Sequence, residues 1–112
     1  MSIYQENTLK KEIKRDIGVT LKLPLKEKTE YLTFGIVEIS PEKNTTSHSH
    51  DIGEEFMSVI EGEGLIILDE KKHEVKKGDL IFIKSHQKHQ IINVSKKEYL
   101  KLLIGVSPPL DF

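Results

Sequence analysis

Apolar and polar positions alternate along much of this chain with a spacing of two. Val19-Thr20-Leu21-Lys22-Leu23 shows the pattern most plainly, and residues 30–39 are rich in aromatic and β-branched side chains. Short apolar runs follow at 56–60, 65–68, 80–83, 90–94 and 100–106. Turn chemistry bounds them: Ser40-Pro41-Glu42, Gly62-Glu63-Gly64, Asp69-Glu70-Lys71-Lys72, Lys77-Gly78-Asp79 and Ser95-Lys96-Lys97. A period of two puts alternate side chains on one face of a strand. Short strands at a spacing of about 8–12 residues predict an all-β sandwich or barrel. The one helix candidate is residues 9–17, where Leu9, Ile13 and Ile17 recur four apart; an extended arm explains the same residues.

The predicted layout is a single domain, with an N-terminal arm over residues 1–16, a β-barrel over 17–107 and a tail over 108–112. Pro108 and Pro109 lack the donor that a ladder needs, so the tail is expected to cap its own barrel or a neighbouring subunit.

Composition narrows the function. A chain of 112 residues has room for one core. Cysteine is absent, which excludes disulfides, zinc–thiolate sites, iron–sulfur clusters and cysteine nucleophiles. Seventeen basic residues against 18 acidic ones give a net charge of -1, with no electrostatic reason to bind nucleic acid. All the basic residues are lysine except Arg15. The start of the chain lacks the apolar run of a signal peptide. No apolar run approaches the roughly 20 residues that span a bilayer. The expectation is a cytoplasmic protein with neither a nucleic-acid nor a membrane partner.

Four of the five histidines fall into two clusters, Ser47-His48-Ser49-His50-Asp51 and Ser85-His86-Gln87-Lys88-His89. His48 and His50 are two apart, so on a strand both imidazoles face one side. The chain then turns at Asp51-Ile52-Gly53, and Glu54 or Glu55 can return a carboxylate to that side. Glu55 shares its parity with Met57 and Val59, which favours Glu55, although a bulge would reverse the choice. His89 opens a strand-like run and becomes a fourth donor if that strand neighbours the first cluster. His86 belongs to the turn before it, and His73, among lysines, reads as surface. Tyr31, Phe34, Phe56, Phe82 and Tyr99 are expected to fill the core or line a cavity. Lys101 and Gln90 are candidates to reach that cavity and grip an anion.

The two clusters resemble the paired motifs of the cupins. The first family motif is His-x-His, three or four residues, Glu, six residues and Gly, matched by His48, His50, Glu55 and Gly62. The second runs Gly, five residues, Pro-x-Gly, two residues, His, three residues and Asn. Gly78, His89 and Asn93 match it, whereas Lys84 and His86 replace its Pro and Gly. Glu42 stands where the first motif usually opens with Gly. The resemblance covers about residues 17–107 and implies a small jelly-roll β-barrel. It further implies that His48, His50, Glu55 and His89 hold one divalent transition metal inside it. Three imidazoles and a carboxylate suit Fe, Mn, Ni, Co, Cu or Zn better than Ca or Mg. An octahedral ion so held keeps two positions for a small oxygen-bearing molecule. The implied function is a metal-dependent enzyme acting on a small organic acid or sugar, dioxygenase- or isomerase-like. The alternative is a non-catalytic metal- or small-ligand-binding module. A small-molecule ligand and, from the exposed strand edges of so small a barrel, a homodimer are the expected partners.

Overall fold

The computed structural model describes residues 2–9, 11–24 and 29–110, and only the backbone of Lys11. Its strands are β1 Lys11–Asp16, β2 Val19–Leu23, β3 Thr33–Ile39, β4 Glu54–Glu61, β5 Glu63–Leu68, β6 Lys71–Lys76, β7 Leu80–Ile83, β8 His89–Asn93 and β9 Leu100–Ser107. Their antiparallel ladders build a six-stranded sheet in the order β1-β2-β3-β9-β4-β7 and a three-stranded sheet in the order β6-β5-β8. The architecture is the all-β jelly roll. No α-helix occurs among the described residues; the one helical piece is a 3-10 turn at Glu6–Thr8. Nothing there is long and apolar enough to cross a membrane as a helix.

The period of two becomes the core directly. β9 lies between β3 and β4. It turns Leu100, Leu102, Ile104 and Val106 inward, all buried. Leu21, Ile39 and Val59 join them from the same sheet, facing Ile66, Val75 and Ile91 of the other. The alternate residues of β9 point out: Lys101 forms ion pairs with Glu6 at 2.7 Å and Glu61 at 3.6 Å. Lys101 is thus held at the surface by glutamates, as a lysine on a strand usually is, and the alternative that it reaches the cavity is not met. Gln90 likewise spends its amide on the Thr45 carbonyl at 3.0 Å.

The aromatic side chains depart from both sequence expectations. Tyr31, Phe56, Phe82 and Tyr99 are exposed and Phe34 is half-buried. Phe56 shares the outward parity of Glu54 on β4, and its ladder partners on either side are Phe82 and Gly105. Its ring covers Gly105 so closely that a Cβ there would collide with it. The interior is built from aliphatic residues instead, which interdigitate in a barrel too narrow for many rings.

Two elements escaped the sequence reading. Among the described residues of 9–17 there is no helix; the chain is extended there, and Lys11–Asp16 is edge strand β1, paired with β2. β6 was hidden because only Val75 of its six residues is buried. An edge strand covered on one side carries charges that deter pairing with another chain. The tail leaves the sheet after Ser107, and Leu110 packs against its own core, its N–H donating to Thr33 Oγ1 at 2.8 Å. The last two tail residues lie outside the described part.

The two motif positions without the family's glycine are informative. Glu42 has φ 64° and His86 has φ 65°. Both adopt the left-handed conformation that glycine takes without strain, which costs a residue bearing a Cβ about 1–2 kcal/mol. The turn geometry has survived the loss of the residue that makes it cheap.

Two predictions follow from packing and backbone. Leu102→Ala should lower unfolding free energy by about 2–5 kcal/mol, because a fully buried side chain leaves a cavity. Leu80→Ala, 76% exposed, should change it by less than about 0.5 kcal/mol in the same urea titration. Glu42→Gly and His86→Gly should each raise stability by about 0.5–1 kcal/mol, the strain relieved less the entropy glycine adds. A loss of stability in both would show that neither turn is strained.

Candidate metal centre

The site is assembled by a short antiparallel bridge. The segment before β4 runs beside β8, with Thr45 N–H donating to the Ile91 carbonyl at 2.9 Å. His48 and His89 then exchange both backbone hydrogen bonds, at 3.0 and 2.8 Å. That exchange holds the two imidazoles with ring centroids 4.2 Å apart. His50, two residues on, presents its ring from the same side, 5.3 Å from His48 and 5.5 Å from His89. The chain turns at Gly53, where Ser85 Oγ accepts from the Gly53 N–H and donates to its carbonyl. β4 then starts.

β4 settles the choice between the two glutamates. Glu55 is 6% exposed and inward with Met57 and Val59, whereas Glu54 points to solvent. Glu55 Oε1 stands 3.3 Å from His50 Nε2 and 3.4 Å from His89 Nε2. One donor atom from each of His48, His50, Glu55 and His89 lies within 4.8 Å of the others. The four residues read from sequence thus meet at one point. His86 is exposed in the preceding turn and His73 is exposed on β6. Asn93 does not join the cluster. Its amide donates to the Ile39 and Glu98 carbonyls and its Oδ1 accepts from Ser95 N–H, so it ties β8 to β3 and to the following turn.

The ring nitrogens show what the cluster is built to receive. His48 Nδ1 is 2.8 Å from the Thr46 carbonyl and His89 Nδ1 is 2.9 Å from the Gln87 carbonyl. A carbonyl only accepts, so each Nδ1 carries the proton and each Nε2 keeps a lone pair. This is how ligating imidazoles are oriented from behind. His89 Nε2 is buried and has no hydrogen-bond partner. Glu55 is near it but not aligned to bond. Buried polar atoms are otherwise almost always paired, and buried carboxylates are paired or coordinate metals. The residues therefore fit a divalent ion, which would take the orphaned lone pair and offset the Glu55 charge.

Electrostatics tunes the rings differently. Burial holds the His48 imidazole below the ordinary 6.5, because its charged form loses hydration. Burial pulls His89 the same way, but the Glu55 carboxylate and the Gln87 carbonyl outweigh it and leave His89 above that value.

The cluster opens into a cavity of about 160 Å³ between the sheets. Its walls are apolar at Val37, Met57, Ile91, Ile104 and Leu110 and polar at Thr45, Thr46, Asp16 and Arg15. None of the aromatics considered from sequence lines it. The sequence pattern places Arg15 and Asp16 in the arm, and their one signal there is that Arg15 is the single arginine of the chain.

Comparison with known proteins agrees with the geometry. A stretch of 65 residues is 43% identical to an uncharacterized protein of Methanocaldococcus jannaschii, MJ1618, covering 58% of this chain and 51% of that protein. The chain thus spans about half the length of that relative. Among solved structures, KdgF from Halomonas sp. superposes with a TM-score of 0.82 at 18% identity, over 99% of this chain and 97% of that one. The polyketide cyclase RemF from Streptomyces resistomycificus gives 0.82 at 22% identity, over 96% and 79%. A predicted oxalate decarboxylase of Thermotoga maritima gives 0.81 at 20% identity, over 95% and 98%. At such identities the likeness is one of fold. The cupin-domain family pattern, however, matches residues 35–105, from the middle of β3 to nearly the end of β9, and this chain belongs to the cupin family.

Proposed function

We propose that the protein binds one divalent transition metal through His48, His50, Glu55 and His89 and presents it to a small oxygen-bearing molecule in the barrel cavity. The observation that carries this reading is the convergence of four donor atoms around an imidazole lone pair with no other partner. When bound, such an ion acts as a Lewis acid and template for oxygen ligands. The chain's own part is distinct. Thr46 and Gln87 hold the rings by their carbonyls, Glu55 supplies the one buried charge, and the aliphatic walls exclude water. The structural neighbours named as a cyclase and a predicted decarboxylase support turnover of a small organic molecule on this frame. A binding module without turnover is the second reading. One observation favours it: Asp16, the carboxylate of the cavity wall beyond the four donors, is engaged by Thr46.

Elemental analysis of protein purified without added metal should find about one transition metal per chain, the stoichiometry of a single closed site. His48→Ala and His89→Ala should each remove most of it and should lower the metal-dependent rise in melting temperature. Unchanged metal content in both variants would sink the assignment.

Metal retention should also follow the imidazole protons. A ring must be neutral to bind, so protons compete as pH falls. His89, raised, takes its proton first and His48, lowered, last. Bound metal should decline as pH drops through about 6.5 and be gone near pH 4, returning on neutralisation. Full retention after dialysis at pH 4 would contradict a three-histidine site.

A further inference from the structure

The C-terminal end of β1 is irregular. Its ladder with β2 pairs Lys14 with Thr20 and then Asp16 with Val19, so Arg15 is the extra residue of a β-bulge. A bulge re-aims the side chain it carries, and bulges cluster beside active sites for that reason. Here Arg15, itself exposed, stands at the bulge and on the wall of the cavity that holds His48 and Glu55. The next residue pins the bulge in place. Asp16 Oδ1 accepts from the Thr46 hydroxyl and Oδ2 from the Thr46 N–H at 3.1 Å. Thr46 in turn gives its carbonyl to His48 Nδ1. A single relay of hydrogen bonds therefore links the position of Arg15 to that of a donor ring.

We propose that Arg15 is the anion-binding residue of this cavity and that the ligand is a small organic acid. Its carboxylate lies on the Arg15 guanidinium and its second oxygen is directed at the four-donor cluster. This rests on reading that cluster as a metal site.

Charge favours an acid over a neutral sugar. A divalent ion, Glu55, Arg15 and Asp16 together leave one net positive charge, which an anion neutralises. The guanidinium fork matches a carboxylate with two parallel hydrogen bonds, a geometry that lysine cannot supply. In a chain that otherwise uses lysine for every cation, the fork sits at this bulge. The rest of the wall is aliphatic at Val37, Met57, Ile104 and Leu110, and its polar members Thr45, Thr46 and Asp16 already hydrogen-bond within the protein, which leaves few groups for several sugar hydroxyls. The volume of about 160 Å³ is well below the roughly 300–1,000 Å³ of pockets for drug-sized ligands, so the acid is small.

The test uses the full chain loaded with Co(II), whose visible absorption reports both metal uptake and a change of its ligands. The titrants are glycolate and ethylene glycol, which differ by carboxylate against neutral hydroxymethyl. The wild type should bind glycolate at least about tenfold more tightly than ethylene glycol, equivalent to about 1.4 kcal/mol. Arg15→Gln should abolish that preference while leaving Co(II) affinity unchanged, and Arg15→Lys should restore part of it through charge alone. Glycolate affinity unchanged in Arg15→Gln with Co(II) fully bound would overturn the role of Arg15 and leave the metal reading standing. Failure of the wild type to take up Co(II) would overturn the metal reading, and this inference with it.

Discussion

The interior chemistry of this protein depends on one pair of backbone hydrogen bonds. His48 and His89 are 41 positions apart in the chain. They become neighbours because each gives its N–H to the other's carbonyl. Everything else at the site is local geometry built on that exchange. The pleat carries His50 to the same face two residues later, and the turn at Gly53 brings Glu55 back from β4. The Thr46 and Gln87 carbonyls, two residues before His48 and His89, hold those two rings by Nδ1 and leave their Nε2 atoms to the cluster.

The cost of this arrangement is concentrated and visible. An imidazole nitrogen without a partner and a carboxylate lie almost wholly inside an aliphatic barrel. Met57, Ile91 and Ile104 line the same cavity, and buried apolar area of that kind is the main favourable contribution to folding. The fold can hold polar groups in its middle because β9, which supplies Leu100, Leu102, Ile104 and Val106 to the core, is paired on both sides. Strain is kept at the periphery, in the left-handed turns at Glu42 and His86.

Arg15 shows how a strand edge can serve a cavity. β1 is a charged edge strand, well suited to prevent pairing with other chains. Its single irregularity lies where the strand borders the cavity, so that exposed Arg15 stands on the cavity wall, and the Asp16–Thr46 contact fixes the segment there. The same segment thus protects the sheet and completes the wall of the cavity.

Much of this was legible in the sequence. Period-two runs located seven of the nine strands, since alternation reflects burial on one face. Histidine spacing, the parity of Glu55 with Met57 and the resemblance to the cupin motifs pointed to His48, His50, Glu55 and His89, the four residues that the fold brings together. What the sequence could not express was contact between distant segments and the orientation of exposed side chains. β6 and β1 carry too few buried residues to leave a pattern. Phe56 and Phe82 look like core by composition but face outward by register. Lys101 and Arg15 are both single cations on strands, yet one is held by glutamates on the sheet surface and the other stands at a bulge on the cavity wall. Local periodicity is encoded residue by residue, whereas a bulge and a bridge depend on which strands lie side by side, and only the closed fold decides that.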